Sequence, residues 1–341
     1  MLFAQFAGLD SLREIEQALG AQPGGLYHLG LRVPRRSTLS DAQTCRPAAV
    51  FRDICMHLMA HAKRSVRREA AEIVELIDAT PIPLRDPRFT WAKADSRVRG
   101  LKVHVGYDAR AEVIEWAEIT APNTTDIAVA RARPIEPGRT YVFDKGYLDY
   151  NWWRRLHDGQ ARFVSRLKSN TRRRDVIAQP VHGQGIMADN LLKLGHAAPR
   201  GGARNELYGI TLREIVVERD GKEPLHLVTN DLDRPASDIA ALYKERWQVE
   251  LLFKWLKQNL KIRRFLGRSE NAVKIQIYVA IIAFLLMRLF QNAHGPRHSA
   301  KALMTRIAVC LFGRFDITNT SPPPPRHPST LPPNPQLKLA I

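Results

Sequence analysis

Tyr243-Lys-Glu-Arg246-Trp-Gln-Val-Glu250-Leu-Leu-Phe-Lys254-Trp-Leu-Lys257 decides how the rest of the chain is read. The stretch predicts one amphipathic helix. At about 100° per residue, Tyr243, Arg246, Glu250, Lys254 and Lys257 fall within roughly 80° of one another. Leu242, Val249, Phe253, Leu256 and Leu260 form an apolar stripe beside them. A single carboxylate among three cations and a phenol suits a surface that grips phosphates and holds a metal. A solvated helix face, with Arg246 and Glu250 paired at i,i+4, accounts for the same residues. On this stretch alone both readings stand.

Composition favours the first. The 341 residues carry 52 Lys plus Arg against 34 Asp plus Glu, a net charge of +18. Such an excess is the footprint of a polyanion-binding protein, with nucleic acid ahead of an anionic membrane. Three cysteines, Cys45, Cys55 and Cys310, have no regular spacing, so no disulfide framework is expected and a reducing cytoplasm suits the chain. The N-terminus lacks the ordered parts of a signal peptide. The longest apolar run, Ile275 to Met287, is too short to span a bilayer and reads as a buried helix, so no membrane association is expected.

Residues 1–64 read as helical. Ser11 to Leu19 has helical spacing, and Ser37 to Asp41 offers caps for a long helix running to His61. With Arg32, Arg35 and Arg36 between short helices, this part suits either a DNA reader or a plain helical cap. Residues 65–160 carry strand patterns at 72–78, 101–107, 113–119 and 140–144, and form the first part of an α/β core. Residues 161–235 read as a basic, β-rich insertion with strands at 163–167, 209–217 and 225–228. Helices at about 236–260, 271–292 and 299–312 complete the core within 236–315. The segment 316–341 holds eight prolines and is expected to be disordered.

Two aspartates stand at predicted strand ends: Asp78 in Leu76-Ile-Asp78-Ala-Thr80, and Asp144 in Val142-Phe-Asp144-Lys-Gly146-Tyr. Taken singly, each reads as a turn or capping residue. Taken with Glu250 downstream, they suit a ribonuclease H-like core, a mixed sheet flanked by helices, that gathers carboxylates for two divalent ions. Magnesium suits such a hard oxygen set, with manganese as a substitute. Asp86, Asp95 and Asp108 lie in loop or basic segments, and Asp149 reads as an N-cap.

These motifs resemble the insertion-sequence DDE transposases that carry a Y-x2-R-x3-E-x6-K signature, the insertion-sequence-four family. Asp78-Ala-Thr80 resembles the first motif and Asp144-Lys-Gly-Tyr-Leu-Asp149 the second, with Lys145 where arginine is more frequent. Tyr243, Arg246, Glu250 and Lys257 match the third. The likeness runs from about residue 8 to 314. It implies a catalytic and metal-binding triad of Asp78, Asp144 and Glu250, with Tyr243, Arg246, Lys254 and Lys257 on DNA. It also implies double-stranded DNA partners, namely the element's terminal inverted repeats and a target, and a homodimer in the synaptic complex. The proline-rich end and the short start depart from the family pattern and put this copy's activity in question. Between Trp153 and Trp247 there is no tryptophan to stack on a flipped end base.

A ribonuclease H-like structure-specific nuclease and an inactive DNA-binding remnant are the alternatives. Cys55-x-His57-x3-His61 is at most a partial metal site and reads as buried helix residues. No G-x4-G-K-[ST] loop occurs in the sequence, so no nucleotide cofactor is expected.

Overall fold

The computed structural model describes residues 1–66, 72–92, 99–198, 203–259, 264–294 and 299–312. Leu260, Asp95 and the proline-rich segment 316–341 lie outside the described residues.

Five helices open the chain: α1 (Leu2–Ala7), α2 (Leu12–Gly20), α3 (Pro23–His28), α4 (Arg36–Cys45) and α5 (Ala48–Val66). Ser11 caps α2 by accepting from the Glu14 N–H at 3.1 Å. The expected long helix to His61 is broken in two. Pro47 forces Arg46 into extended backbone (φ −77°, ψ 126°), which ends α4 before α5 begins. In α5 Cys55 is buried while His57 and His61 are exposed, so the two histidines are not the buried residues that the sequence suggested.

The core follows as β1 (Val74–Pro83), β2 (Gly100–Asp108), β3 (Val113–Thr120), α6 (Asp126–Ala132), β4 (Thr140–Phe143), α7 (Tyr150–Asp158) and β5 (Arg162–Arg166). Asp149 caps α7, accepting from the Trp152 N–H at 2.8 Å. Then come β6 (Arg173–Ala178), β7 (Ile186–Leu194), β8 (Leu212–Val217) and β9 (Leu225–Thr229). The last helices are α8 (Ala236–Glu245), α9 (Trp247–Asn259), α10 (Glu270–His294) and α11 (Ala300–Cys310). β6 and β7 were not legible in the sequence, because β6 is polar and mostly exposed and shows no apolar alternation.

The described strands form one nine-stranded sheet in the order β3-β2-β1-β4-β5-β9-β8-β7-β6. β1, β2 and β3 are an antiparallel meander, whereas β1, β4 and β5 are parallel. This arrangement is a ribonuclease H-like α/β core. β9 continues the sheet antiparallel to β5, so β9, β8, β7 and β6 extend the same sheet. Leu76, Val103, Val105, Val142 and Val164 face one apolar core with α8, α9 and α10. Ile77, Phe143, Trp153 and Phe163 face a second core on the other side. The buried run at 275–287 belongs to α10. By length and composition this helix could cross a membrane, yet it is packed into the first core.

A buried ion network braces the meander against β4. Arg139 is 2% exposed and pairs with Glu75 and Glu115, and with Glu136 at 2.7 Å. The Trp116 indole N–H donates to Glu75 as well. Burial pushes the Glu75 carboxyl up, and the Arg139 guanidinium pulls against it. Removing one partner of a buried network strands the others without water. Arg139→Met is therefore expected to destabilise the protein by about 3–5 kcal/mol in urea denaturation. A midpoint equal to wild type would show that the network carries no weight.

Candidate active site

β4 stops at Phe143, and its parallel ladder with β1 ends at the pair Ile77–Phe143. Asp78 and Asp144 are the next residue on each side. β1 itself runs on to Pro83, paired only with β2. Asp78 therefore sits within a strand, at the point where β4 leaves its side, and not at the strand's end as the sequence suggested. Pro81 and Pro83 lack an N–H and are tolerated because β1 has an open side there. The split leaves a crevice beyond the carboxyl ends of parallel strands, the usual place for a site in such sheets.

The signature residues do not lie on one uninterrupted helix. α8 ends at Glu245 and α9 begins at Trp247, with Arg246 between them. Arg246 keeps helical angles (φ −51°, ψ −29°), but its N–H bonds to the Tyr243 carbonyl, one residue nearer than an α-helix requires. The tightened turn places Tyr243 on α8 and Glu250 on α9, and both reach the sheet.

Their bonds join the three acids. The Arg246 guanidinium donates to Glu250 Oε1 at 2.6 Å and stands 3.8 Å from Asp78 Oδ2. The Tyr243 hydroxyl donates to Asp144 Oδ1 at 3.2 Å. Lys257 Nζ donates to the Thr80 hydroxyl, two residues along β1 from Asp78 and on the same face by strand alternation. Asp78, Asp144, Glu250, Tyr243, Arg246 and Lys257 are thus brought together. Lys254 is exposed on α9 and takes no part in these bonds.

The electrostatics are those of a site short of positive charge. Burial pushes the Asp78 carboxyl up to about 6. One backbone hydrogen bond and Arg246 oppose this, while Glu250 and Asp126 reinforce it. Burial and then Asp144 push the Tyr243 phenol up to about 12, so it stays a donor. Burial works against the charge of Arg246, but the hydrogen bond to Glu250 and the electrostatic pull of Tyr243, Glu250 and Asp78 together hold the guanidinium above its ordinary range. Its buried Nε has no partner among the described residues, nor has the buried Tyr147 hydroxyl. Burial and the charges of Asp126, Asp78 and Asp144 hold the Tyr147 phenol well above its ordinary range.

Asp126 is a member of this neighbourhood that the sequence does not reveal. It starts α6, bonds Lys102 Nζ at 3.0 Å and adds to the negative potential at Asp78. Its only local signal, an acid in the first turn of a short helix, says nothing of Asp78. Among the described residues no three carboxylate, histidine or cysteine side chains close on a common point as metal ligands would. The donor set nevertheless fits a hard divalent cation. Asp78 and Glu250 share the Arg246 guanidinium, Asp144 follows the last pair of the β1–β4 ladder beside Asp78, and burial holds the Asp78 carboxyl above its ordinary range.

A family model described as "Transposase DDE domain" matches residues 69–286, and a model of a domain of unknown function matches residues 1–32. A Sinorhizobium fredii protein named as a transposase, y4zB, is 40% identical over 87% of this chain and 83% of its own length. A Geobacillus stearothermophilus protein named as the transposase for insertion sequence element IS5377 is 26% identical over 79% of this chain and 70% of its own. Among solved structures, the cryo-EM structure of the piggyBac transposase synaptic complex with hairpin DNA matches with a TM-score of 0.42 and 13% identity. That match covers 71% of this chain and 53% of the other. With a domain model covering more than half of its residues and a relative at 40% identity along most of both lengths, this chain belongs to the DDE transposases of insertion sequences.

Proposed function

We propose that Asp78, Asp144 and Glu250 are the catalytic carboxylates with which this transposase cuts DNA at the ends of its insertion sequence and joins the freed end to a target. The observation that carries the reading is the bonding of the acids to the signature side chains. Arg246 links Asp78 on β1 to Glu250 on α9, and Tyr243 holds Asp144 beside them. A solvated helix face has no reason to reach two strand residues that the fold sets side by side.

DDE transposases work with divalent metal ions. Here Asp78, Asp144 and Glu250 would hold Mg²⁺, with Mn²⁺ as a substitute. A metal held there would supply Lewis-acid charge to a phosphodiester in the transition state. The chain's own groups supply the rest. Arg246 places a guanidinium charge between Asp78 and Glu250, where a phosphate drawn to the acids would meet it. Lys257 and Lys254 add point charges, and the Tyr243 phenol orients Asp144. The partners under this reading are double-stranded DNA at the terminal inverted repeats, target DNA, and a second copy in the synaptic complex. The protein would act in the cytoplasm, on the nucleoid. The chain would divide into a helical unit at 1–64, core segments at 65–160 and 236–315, and an insertion at 161–235.

Asp144→Asn is expected to abolish Mg²⁺-dependent cleavage of end DNA while leaving binding to that DNA nearly intact, because it removes ligand charge and not phosphate grip. Gel-based cleavage and titration assays measure both. Cleavage at the wild-type rate would remove Asp144 from the site, and joining of cut ends to a target separates a transposase from a nuclease.

Arg246→Ala is expected to weaken end-DNA binding and lower the slope of log affinity against log salt by about 0.9 for each phosphate that the variant no longer neutralises. Glu250→Gln is expected to keep or improve binding while destroying cleavage. Affinities and slopes equal to wild type in both variants would return this helix to a solvated face.

Asp78 gives a pH signature. In the metal-free folded protein its proton stays on up to about pH 6, whereas the unfolded chain releases it near the ordinary aspartate value of about 4. The folded state binds more protons across that window, so this group's contribution to stability falls as pH rises from about 4 to 6. Mg²⁺ must displace the same proton, so its affinity is expected to rise with pH and level off above about 6. Denaturant midpoints and Mg²⁺ titrations of wild type against Asp78→Asn test this, and parallel pH profiles would contradict it.

A further inference from the structure

Beyond Lys257 the crevice opens into a cleft of ≈ 600 Å³ that the signature motif does not account for. Its cationic lining among the described residues is Arg85, Arg88, Lys257, Arg264 and Arg268. The one acid in the lining, Asp86, already fixes Arg88, accepting from its Nε at 2.8 Å and from its backbone N–H at 3.0 Å. The cations come from two parts of the chain, the segment following β1 and the segment between α9 and α10. These parts are braced to each other. The Trp91 indole N–H donates to the Arg268 carbonyl at 2.6 Å, and the Phe89 and Phe265 rings meet edge to face at 6.2 Å. The charges are therefore mounted on a fixed frame. Arg85, Arg88, Arg264 and Arg268 are exposed to solvent at its surface.

The cleft's position indicates its ligand. Ile82, at its floor, is four residues beyond Asp78 on β1, about 13 Å at roughly 3.3 Å per residue. Duplex DNA advances about 3.4 Å per nucleotide along one strand. A backbone seated at the acids and running toward Lys257 thus reaches the cleft within a few nucleotides. Four arginines and a lysine around an apolar floor are suited to phosphodiesters and offer nothing to a neutral or cationic ligand.

We propose that this cleft is a second phosphodiester subsite, which seats the DNA backbone a few nucleotides from the reacting phosphate through Arg85 and Arg268 in particular. The assignment rests on the acid site described above. Its ligand is a phosphodiester chain, supplied either by the element's own end or by target DNA.

The test compares the full-length wild type with the pair Arg85→Gln and Arg268→Gln. Two duplexes of equal length serve as probes, one carrying the inverted repeat that flanks the gene and one of unrelated sequence. Affinity is measured across a salt series. The glutamine pair is expected to lower the log–log salt slope by about 1.8, for two phosphates left unneutralised. A decrease confined to the end duplex assigns the cleft to the element's end. A decrease confined to the unrelated duplex assigns it to target DNA, and a decrease on both makes it a general backbone seat. The pair Arg85→Lys and Arg268→Lys keeps both charges and is expected to restore the slope. A lysine pair as weak as the glutamine pair would mean that the fold and not the charge had been damaged, and would overturn the subsite. An unchanged slope on both duplexes would overturn it too, while cleavage dependent on Asp144 would leave the acid site standing. A wild type that binds neither duplex would sink the acid-site reading itself.

Discussion

The parallel hydrogen bonding of β1 with β4 gives way after Ile77 and Phe143, and the candidate site is arranged around that break. Up to it, both strands are buried on both faces, and their side chains belong to two apolar cores. Past it, β4 has turned away into the Lys145–Tyr147 helical turn, while β1 continues on its β2 partner. A polar residue at the first position of each diverging branch faces a crevice and not a core. Asp78 and Asp144 occupy those two positions. One step earlier in the register either carboxylate would have been buried in an apolar core, where an unpaired charge is strongly disfavoured.

The helix pair α8 and α9 answers this break with charge. Burial makes charge on Asp78 costly, and the carboxylates of Glu250 and Asp126 add to that cost. Arg246 relieves part of it from the junction of the two helices, and Tyr243 contributes a neutral donor toward Asp144. The chain is strongly basic, at +18, yet this crevice gathers acids. That contrast suits an enzyme that must attract a polyanion over its surface and concentrate cations at one point.

Behind the crevice the fold is stiff. The Arg139 network ties β1, β3 and the start of β4 together away from solvent, and Gly106 leaves the room that Trp116 needs to reach Glu75. Strands β6 to β9 are continuous with the rest of the sheet through the β5–β9 ladder, and β9 leads almost directly into α8. The last of these strands thereby sets where Tyr243 and Arg246 begin.

Much of this was legible in the residues. The alternation of β2, the apolar run ending at Asp78, the Val142-Phe-Asp144 turn and the Arg246–Glu250 spacing are local patterns, and local patterns follow from backbone period and side-chain polarity. They indicated the α/β class, which the sheet has, and singled out Asp78, Asp144 and Glu250 as candidates. Tertiary structure decided the rest. That β1 passes beyond Asp78 depends on β2 pairing along its full length, a contact between segments that no periodicity within either one encodes. The interruption at Arg246 reflects two helices packing on different parts of one sheet, where tertiary contact overrides a continuous helical pattern. β6 leaves no mark in the sequence because an exposed edge strand needs no apolar face. The roles of Asp126 and Tyr147 near Asp78, and the bracing of the Arg85 segment against Arg268 from far along the chain, are matters of distance in space, and spacing along a sequence does not carry them.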